Sequence, residues 1–233
     1  MKGKLFLIPC GLSEGNHVDW IAPSTLQTAL ELRYFIVENE RSARRFLRSL
    51  SSSFPIDDSH FAVIDKHQSV SAASFLQPCL NGHSVGLISE AGCPAIADPG
   101  EEVVAHAQKI GIAVKPFVGP SSILLTLMAS GLNGENFAFL GYLPIEKGQR
   151  SARINGLIQT ISSIKQTQLF MDTPFRNNTL LGDVLTSAPV HFRLTIAKNI
   201  TTSSESILTK TIGEWRQNPP DLHKQLVMFA LGL

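Results

Sequence analysis

Short apolar runs alternate with stretches of helical periodicity through the first half of this chain. Leu5 to Ile8, Tyr34 to Val37, Phe61 to Ile64, Val85 to Ile88 and Ala113 to Val118 read as strands, since continuous apolar runs of this length suit a sheet covered on both faces. Between them, residues 24–31, 40–50, 69–80 and 101–110 read as helices. The stretch 40–50 is the clearest: Ala43, Phe46, Leu47 and Leu50 recur at i, i+3, i+4 and i+7 and form a core-facing stripe. Strands and helices in alternation predict a mostly parallel sheet with helices on both faces.

The texture changes near Pro116-Phe117-Val118-Gly119-Pro120-Ser121-Ser122. A Gly-Pro turn there leads into a serine able to cap a helix over Ile123 to Ser130. Beyond it the pattern predicts a strand over Phe137 to Leu143, a helix over 149–164, a strand over Gln168 to Met171 and a helix over 175–186. Strands near 192–197, 206–212 and 225–231 follow with little helix between them, which favours antiparallel pairing. The expected fold class is therefore α/β with two domains: a parallel-sheet α/β domain over 1–118 and an α+β domain with a mixed sheet over 119–233.

One connection stands apart. Ser89-Glu90-Ala91-Gly92-Cys93-Pro94-Ala95-Ile96-Ala97-Asp98-Pro99-Gly100 links the fourth strand to the helix that starts at Glu101. It packs small residues, two prolines and two carboxylates into a strand-to-helix crossing, where open α/β sheets bind ligands. Gly92 would allow a ligand close to the backbone. Read alone, the segment is equally a tight turn that caps the next helix.

With 43% hydrophobic and 17% charged residues, the chain can bury a substantial core and is not a disordered segment. A net charge of +1 leaves a nucleic-acid partner open, because a basic patch can sit within a neutral total. Cys10, Cys79 and Cys93 are scattered and lack a C-x-x-C pair, which suits reduced thiols in a cytoplasm. The apolar run after Met1-Lys2-Gly3-Lys4 stops at Pro9, too short for a signal peptide, and no segment has the length of a membrane span. Cys79 and His83 supply only two potential ligands, so no metal is expected.

Arg41, Arg44, Arg45 and Arg48 repeat the i, i+3, i+4, i+7 spacing about 200° around the helix from the apolar stripe. They form a basic ridge able to meet RNA phosphates, or simply a solvated helix face. Lys147, Arg150 and Arg153 add a second basic patch. Glu38, His67 and Asp98 each fall at or near the carboxyl end of a predicted strand, where a general base would sit; each is equally at home as a cap or an ion-pair member.

Three segments in this order carry a resemblance: Ser89 to Gly100, Gly119-Pro120-Ser121-Ser122, and Phe139-Leu140-Gly141-Tyr142-Leu143-Pro144. Together they resemble the class III S-adenosylmethionine-dependent methyltransferases, the tetrapyrrole methylase superfamily. Within it the chain looks most like the branch that methylates a ribose 2′-hydroxyl of small-subunit ribosomal RNA. Val37-Glu38-Asn39-Glu40-Arg41 and Thr173-Pro174-Phe175-Arg176 are weaker matches to that branch's E-D-T-R and S-P-H-R segments. The branch also tends to carry a histidine where this chain has His67. The resemblance implies a tetrapyrrole-methylase-like fold, S-adenosylmethionine in a cleft between the two domains, and a cytoplasmic homodimer acting on structured ribosomal RNA in the small subunit. It implies cofactor contact for Pro9, Gly11, Ser89, Glu90, Ala91, Gly92, Cys93, Pro120, Ser121, Ser122, Phe170, Met171 and Ala197, and leaves the arginine ridge and Arg150 as substrate contacts.

The chain departs from the branch in three places. Pro9-Cys10-Gly11-Leu12-Ser13-Glu14-Gly15 stands where the branch has P-T-P-I-G-N-L, Glu90 stands where it has Asp, and Lys198-Asn199-Ile200-Thr201-Thr202 replaces R-E-[LI]-T-K. Carbon methylation of a tetrapyrrole, and a cofactor-binding paralogue without catalysis, are the competing readings.

Overall fold

A computed structural model describes residues 1–13, 17–64 and 71–233, which divide into two compact units, 1–121 and 122–233. In the first unit, strands β1 (Leu5–Ile8), β2 (Tyr34–Val37), β3 (His60–Val63), β4 (Val85–Ile88) and β5 (Val114–Pro116) form one sheet of order β3-β2-β4-β1-β5. Every pairing in it is parallel. The helices between them are α1 (Pro23–Glu31), α2 (Glu40–Leu50), α3 (Ala72–Phe75), α4 (Gln77–Leu80) and α5 (Glu101–Lys109).

Right-handed crossovers dictate the layering. From β1 to β2 to β3 the chain moves one way along the sheet, and from β3 to β4 to β5 it moves back, so the two sets of helices fall on opposite faces. The cores match: Ile8, Phe35, Val37 and Ile88 pack with Ala29 of α1 and Ala43, Phe46 and Leu47 of α2. On the opposite face Leu5, Ile36, Val85 and Leu87 pack in one cluster with Phe75, Leu76 and Cys79 and with Val103 and Ala107 of α5. Alternate strand residues thus serve alternate faces, and the stripe expected on residues 40–50 is the buried face of α2.

Two expectations are corrected. The helix expected over 69–80 is, among the described residues, two short helices broken at Leu76. Pro78 is the cause: it lacks an N–H and its ring collides with the carbonyl four residues back, but it is well placed in the first turn of α4. The strand expected over 113–118 is regular only over Val114–Pro116, although the Ala113 carbonyl accepts from Leu5 at 2.9 Å and the Phe117 N–H donates to Leu7 at 3.1 Å on either side of it.

The second unit holds α6 (Ser122–Ser130), β6 (Phe137–Tyr142), α7 (Lys147–Ile164), β7 (Thr167–Met171), α8 (Asn177–Ser187), β8 (Arg193–Lys198), β9 (Ser206–Thr211), α9 (Ile212–Gln217) and β10 (Val227–Gly232). Its sheet runs β6-β7-β10-β8-β9, parallel between β6 and β7 and antiparallel elsewhere. This is the mixed sheet that the closely spaced late strands predicted. α9 was not foreseen, although its signal is in the sequence: Thr211 and Glu214 form a reciprocal capping box. On the helix-covered face Phe170 stacks on Phe229 at 5.5 Å, and the Trp215 indole N–H donates to the Leu194 carbonyl at 2.8 Å.

Replacing the fully buried Phe229 by alanine removes the stacking partner of Phe170 from the centre of this core. The expected loss is about 3–5 kcal/mol of unfolding free energy, read as a lower urea midpoint at unchanged slope. A loss below about 1 kcal/mol would mean the site collapses around the gap.

Candidate active site

In a parallel sheet all strands end at one edge, so the segments after β1, β2, β4 and β5 are neighbours by construction. After β2 the chain leads towards β3, and after β4 it leads the opposite way towards β5. Such divergence of adjacent strands leaves a crevice at their carboxyl ends. The segment 89–100 lies across it and touches the other loops. The Cys10 N–H donates to the Gly92 carbonyl at 2.9 Å, tying it to the end of β1. The Ser42 hydroxyl in the first turn of α2 reaches a Glu90 oxygen at 3.4 Å, tying it to the segment after β2. The Cys93 thiol lies 3.4 Å from the Pro120 carbonyl and 3.9 Å from that of Gly119, tying it to the segment after β5. Gly119 in turn lies flat on Pro9: a Cβ there would fall 2.1 Å from the proline's own Cβ.

The backbone of this segment is unusual. Gly92, Ala95, Ala97 and Gly100 have φ of 70°, 62°, 63° and 128°. Glycine takes such angles freely, whereas alanine does so at a cost of order 1–3 kcal/mol each. Strain of this kind persists only where the surroundings over-determine it, and it clusters at functional sites. The Ser89 hydroxyl turns back on the Ala91 and Gly92 carbonyls at 3.4 and 3.5 Å. Ala91 and Glu90 are exposed, and Asp98 is half-buried.

Burial, followed by the charges of Glu90 and Asp98, pushes the Cys10 thiol far above its ordinary value. Two consequences follow. Cys10 is not a nucleophile, and both carboxylates lie near enough to make the end of β1 electrically negative, with Gly11 buried directly beyond it. Burial also raises Cys93, and raises Cys79 to about 11 against a counteracting hydrogen bond with the Val85 backbone.

Glu38 follows β2 directly and is half-buried at this same edge, so topology brings Glu38, Glu90 and Asp98 to one side of the sheet. His67 lies outside the described residues. The arginine ridge divides. Arg44 ion-pairs with Glu40 at 2.8 Å and lies 5.0 Å over the Phe61 ring, and Arg48 donates to the Ser52 carbonyl at the end of α2. Arg41 and Arg45 are exposed.

Arg150 is not on an exposed patch. It is 6% exposed, pairs with Asp183 of α8 at 2.6 Å and donates to the Ile145 carbonyl at 2.6 Å. Its spacing from Ile154, Leu157 and Ile161, the buried stripe of α7, carried the signal. Lys147 and Arg153 remain exposed.

In the second unit, Ser122 opens α6, with Ser121 immediately before it. Met171, Met228 and Ala197 are register partners in one row across β7, β10 and β8. Phe170 points to the other face, fully buried among the helices, so a ligand on the Met171 side would meet only its backbone. At this same sheet edge the sequence pattern did not single out Asp172, which is 7% exposed, pairs with Arg176 and accepts the Thr173 N–H at 2.7 Å.

Two curated relatives are similar over most of the chain. Ribosomal RNA small subunit methyltransferase I of Halalkalibacterium halodurans is 30% identical over 91% of this chain and 70% of its own length. The protein of the same name from Vibrio cholerae is 29% identical over 90% of this chain and 69% of its own length. Among solved structures, the methyltransferase CobJ shares the fold with a TM-score of 0.64 at 15% identity, covering 99% of this chain and 94% of CobJ. No protein-family model matches the chain.

Thiol alkylation reads the geometry of this site. Thiolates react and thiols do not, so at pH 8 only about one part in a thousand of Cys79 is reactive, and Cys10 less. In the native protein iodoacetamide should modify Cys93 first and the other two only on unfolding, as peptide mass spectrometry would show. Cys10 alkylated as fast as Cys93 would contradict the burial of the first loop.

Proposed function

Since the chain belongs to the ribosomal RNA small subunit methyltransferase I family, within the class III S-adenosylmethionine-dependent methyltransferases, we propose that its methyl acceptor is a ribose 2′-hydroxyl of small-subunit ribosomal RNA. It is a methyltransferase that uses S-adenosylmethionine. The observation that carries the reading is the segment 89–100, which meets the loops after β1, β2 and β5 and brings two carboxylates near Cys10.

The residues present fit that cofactor. Glu90 and Asp98 make the edge negative, which favours a ligand with a cationic sulfur and an ammonium group. Ala91, Gly92 and Cys93 are small, and left-handed Gly92 lets the segment pack close against Leu12 and the Pro120 carbonyl, which holds Glu90 and the exposed Ala91 at the edge. When bound, S-adenosylmethionine supplies a methyl group on positively charged sulfur. The chain's own part is to fix the line of attack and exclude water, which accounts for most of the catalysis expected of a displacement. It must also accept the hydroxyl proton, and we take Glu38 and Asp98, both described at this edge, as the candidate bases. Arg41 and Arg45 on α2 start beside Glu38 and would hold backbone phosphates as the ribose enters. The reading includes a cytoplasmic homodimer. The exposed Met128, Ile145 and Phe175 of the second unit are apolar surface that such an interface would cover.

The test is transfer of tritiated methyl from S-adenosylmethionine to undermethylated small ribosomal subunits, with uroporphyrinogen in parallel. Label should appear in RNA at a linkage resistant to alkali, as a blocked 2′-oxygen requires. Label in uroporphyrinogen alone would make the chain a tetrapyrrole enzyme. Label in neither, with calorimetry showing cofactor binding, would make it a non-catalytic binder.

Asp98→Asn and Glu38→Gln separate the two candidate bases. The change at the acting base should lower kcat by about 10²–10⁴-fold with little effect on cofactor affinity. Two variants within tenfold of the parent would remove both. Arg41→Glu with Arg45→Glu should raise KM for subunits and flatten its salt dependence while cofactor binding is unchanged.

A further inference from the structure

The opposite edge of the first sheet holds a cavity of about 400 Å³, within the usual range for small-molecule sites. It opens where β1, β2, β4 and β5 begin, so the length of the strands separates it from the loops of the candidate active site. Lys4, Arg33 and Lys115 bring three cations to its wall, and Glu31 brings the one carboxylate.

The wall carries a positive excess, and two of its charged groups are already engaged. Arg33 donates to the Leu30 and Leu32 carbonyls at 2.9 and 2.7 Å, which cancels the negative end of α1. Glu31 accepts the Gln27 amide at 3.2 Å. These bonds engage Arg33 and Glu31 without removing their charges, so the three cations of the wall outweigh its carboxylate, with Lys115 held 5.3 Å over the Phe117 ring. Beside them Tyr34 lies between two exposed imidazoles, stacked on His60 at 4.8 Å and tilted by 35° against His83 at 5.1 Å, and of the two His83 lines the cavity. An exposed imidazole backed by a phenol ring is a platform for a planar base, and Arg and Lys are phosphate binders.

We infer that this cavity binds a nucleoside phosphate, with the phosphate between Lys4 and Lys115 and the base on the Tyr34–His83 platform. Its two sources are a free nucleotide and a nucleotide of a bound RNA strand, and they share this chemistry. The inference does not depend on the identity of the methyl acceptor.

Uridine 5′-monophosphate is the probe, since a pyrimidine avoids confusion with adenosine binding at the other edge. Titration into the full chain, followed through the histidine ring protons by NMR, should shift His83 upfield at millimolar or lower concentration. Uridine without phosphate should bind at least tenfold more weakly. Lys4→Glu with Lys115→Glu should abolish the shift while calorimetry shows unchanged S-adenosylmethionine binding, which also establishes that the variant is folded. His83→Ala should weaken binding several-fold and keep the phosphate dependence. No response at His83, equal binding of uridine, or undiminished binding by the double variant would each overturn the site. A raised KM for ribosomal subunits in the double variant would assign the nucleotide to RNA, and unchanged kinetics would assign it to a free ligand. Methylation that fails in the parent protein while uridine 5′-monophosphate still binds would remove the proposed acceptor and leave this site standing.

Discussion

The hydrogen bond from the Cys10 N–H to the Gly92 carbonyl is the contact on which the strand-end edge of the first unit depends. It requires residues 89–100 to lie flat across the edge, and that requirement selects their composition. Gly92 is buried with a left-handed backbone, and Gly100 is left-handed with Leu87 only 2.8 Å from where a Cβ would stand. Gly119 must be glycine because Pro9 fills the space beside it. Ala95 and Ala97 hold left-handed angles at a cost that matters in domains stable by only about 5–15 kcal/mol. The edge tolerates that cost because the segment is held at Cys10, Ser42 and Pro120 together.

The first unit was largely legible because its strands are short apolar runs and its helices carry one-sided stripes. Ala43, Phe46 and Leu47 are buried at the spacing their positions announce. Pro78 was equally legible as a breaker, but it sits in an apolar stretch whose period suggests one continuous helix. In the second unit both sheet faces are covered, so alternation gives no sign of which face a residue serves. β7 is buried at every position but its last, and β10 throughout. Phe170 and Met171 therefore looked equivalent, and only the register shows that they point to opposite faces.

Charge was the least legible property. A basic residue on a helix is solvated unless the helix face says otherwise, and Arg150 lies on the buried stripe of α7 with Asp183 as its partner. Breaking that pair would leave an uncompensated charge in the core, which is far costlier than the pair itself is worth. It therefore anchors α7 to α8 rather than meeting a substrate. The ridge on α2 divides for a similar reason. Arg44 is held by Glu40 and Arg48 donates to the Ser52 carbonyl, while Arg41, Arg45 and Arg48 are all exposed. The spacing of four arginines could not show which of them the helix would use for itself.

A parallel sheet gives its two edges different chemistry, and this one amplifies the difference. At the carboxyl ends stand Glu38, Glu90 and Asp98; at the amino ends stand Lys4, Arg33 and Lys115. Strands of four residues separate them by roughly 13 Å at the usual rise. That distance exceeds the screening length of about 8 Å at physiological salt, so each edge keeps its own sign instead of cancelling the other. The near-zero net charge gives no sign of this division, because it sums 20 basic and 19 acidic residues spread over the whole chain. A cationic cofactor at the carboxylates and an anionic ligand at the opposite lysines can then be attracted to one small sheet at once, while Arg41 and Arg45 of α2 supply the positive charge beside the carboxyl-end site.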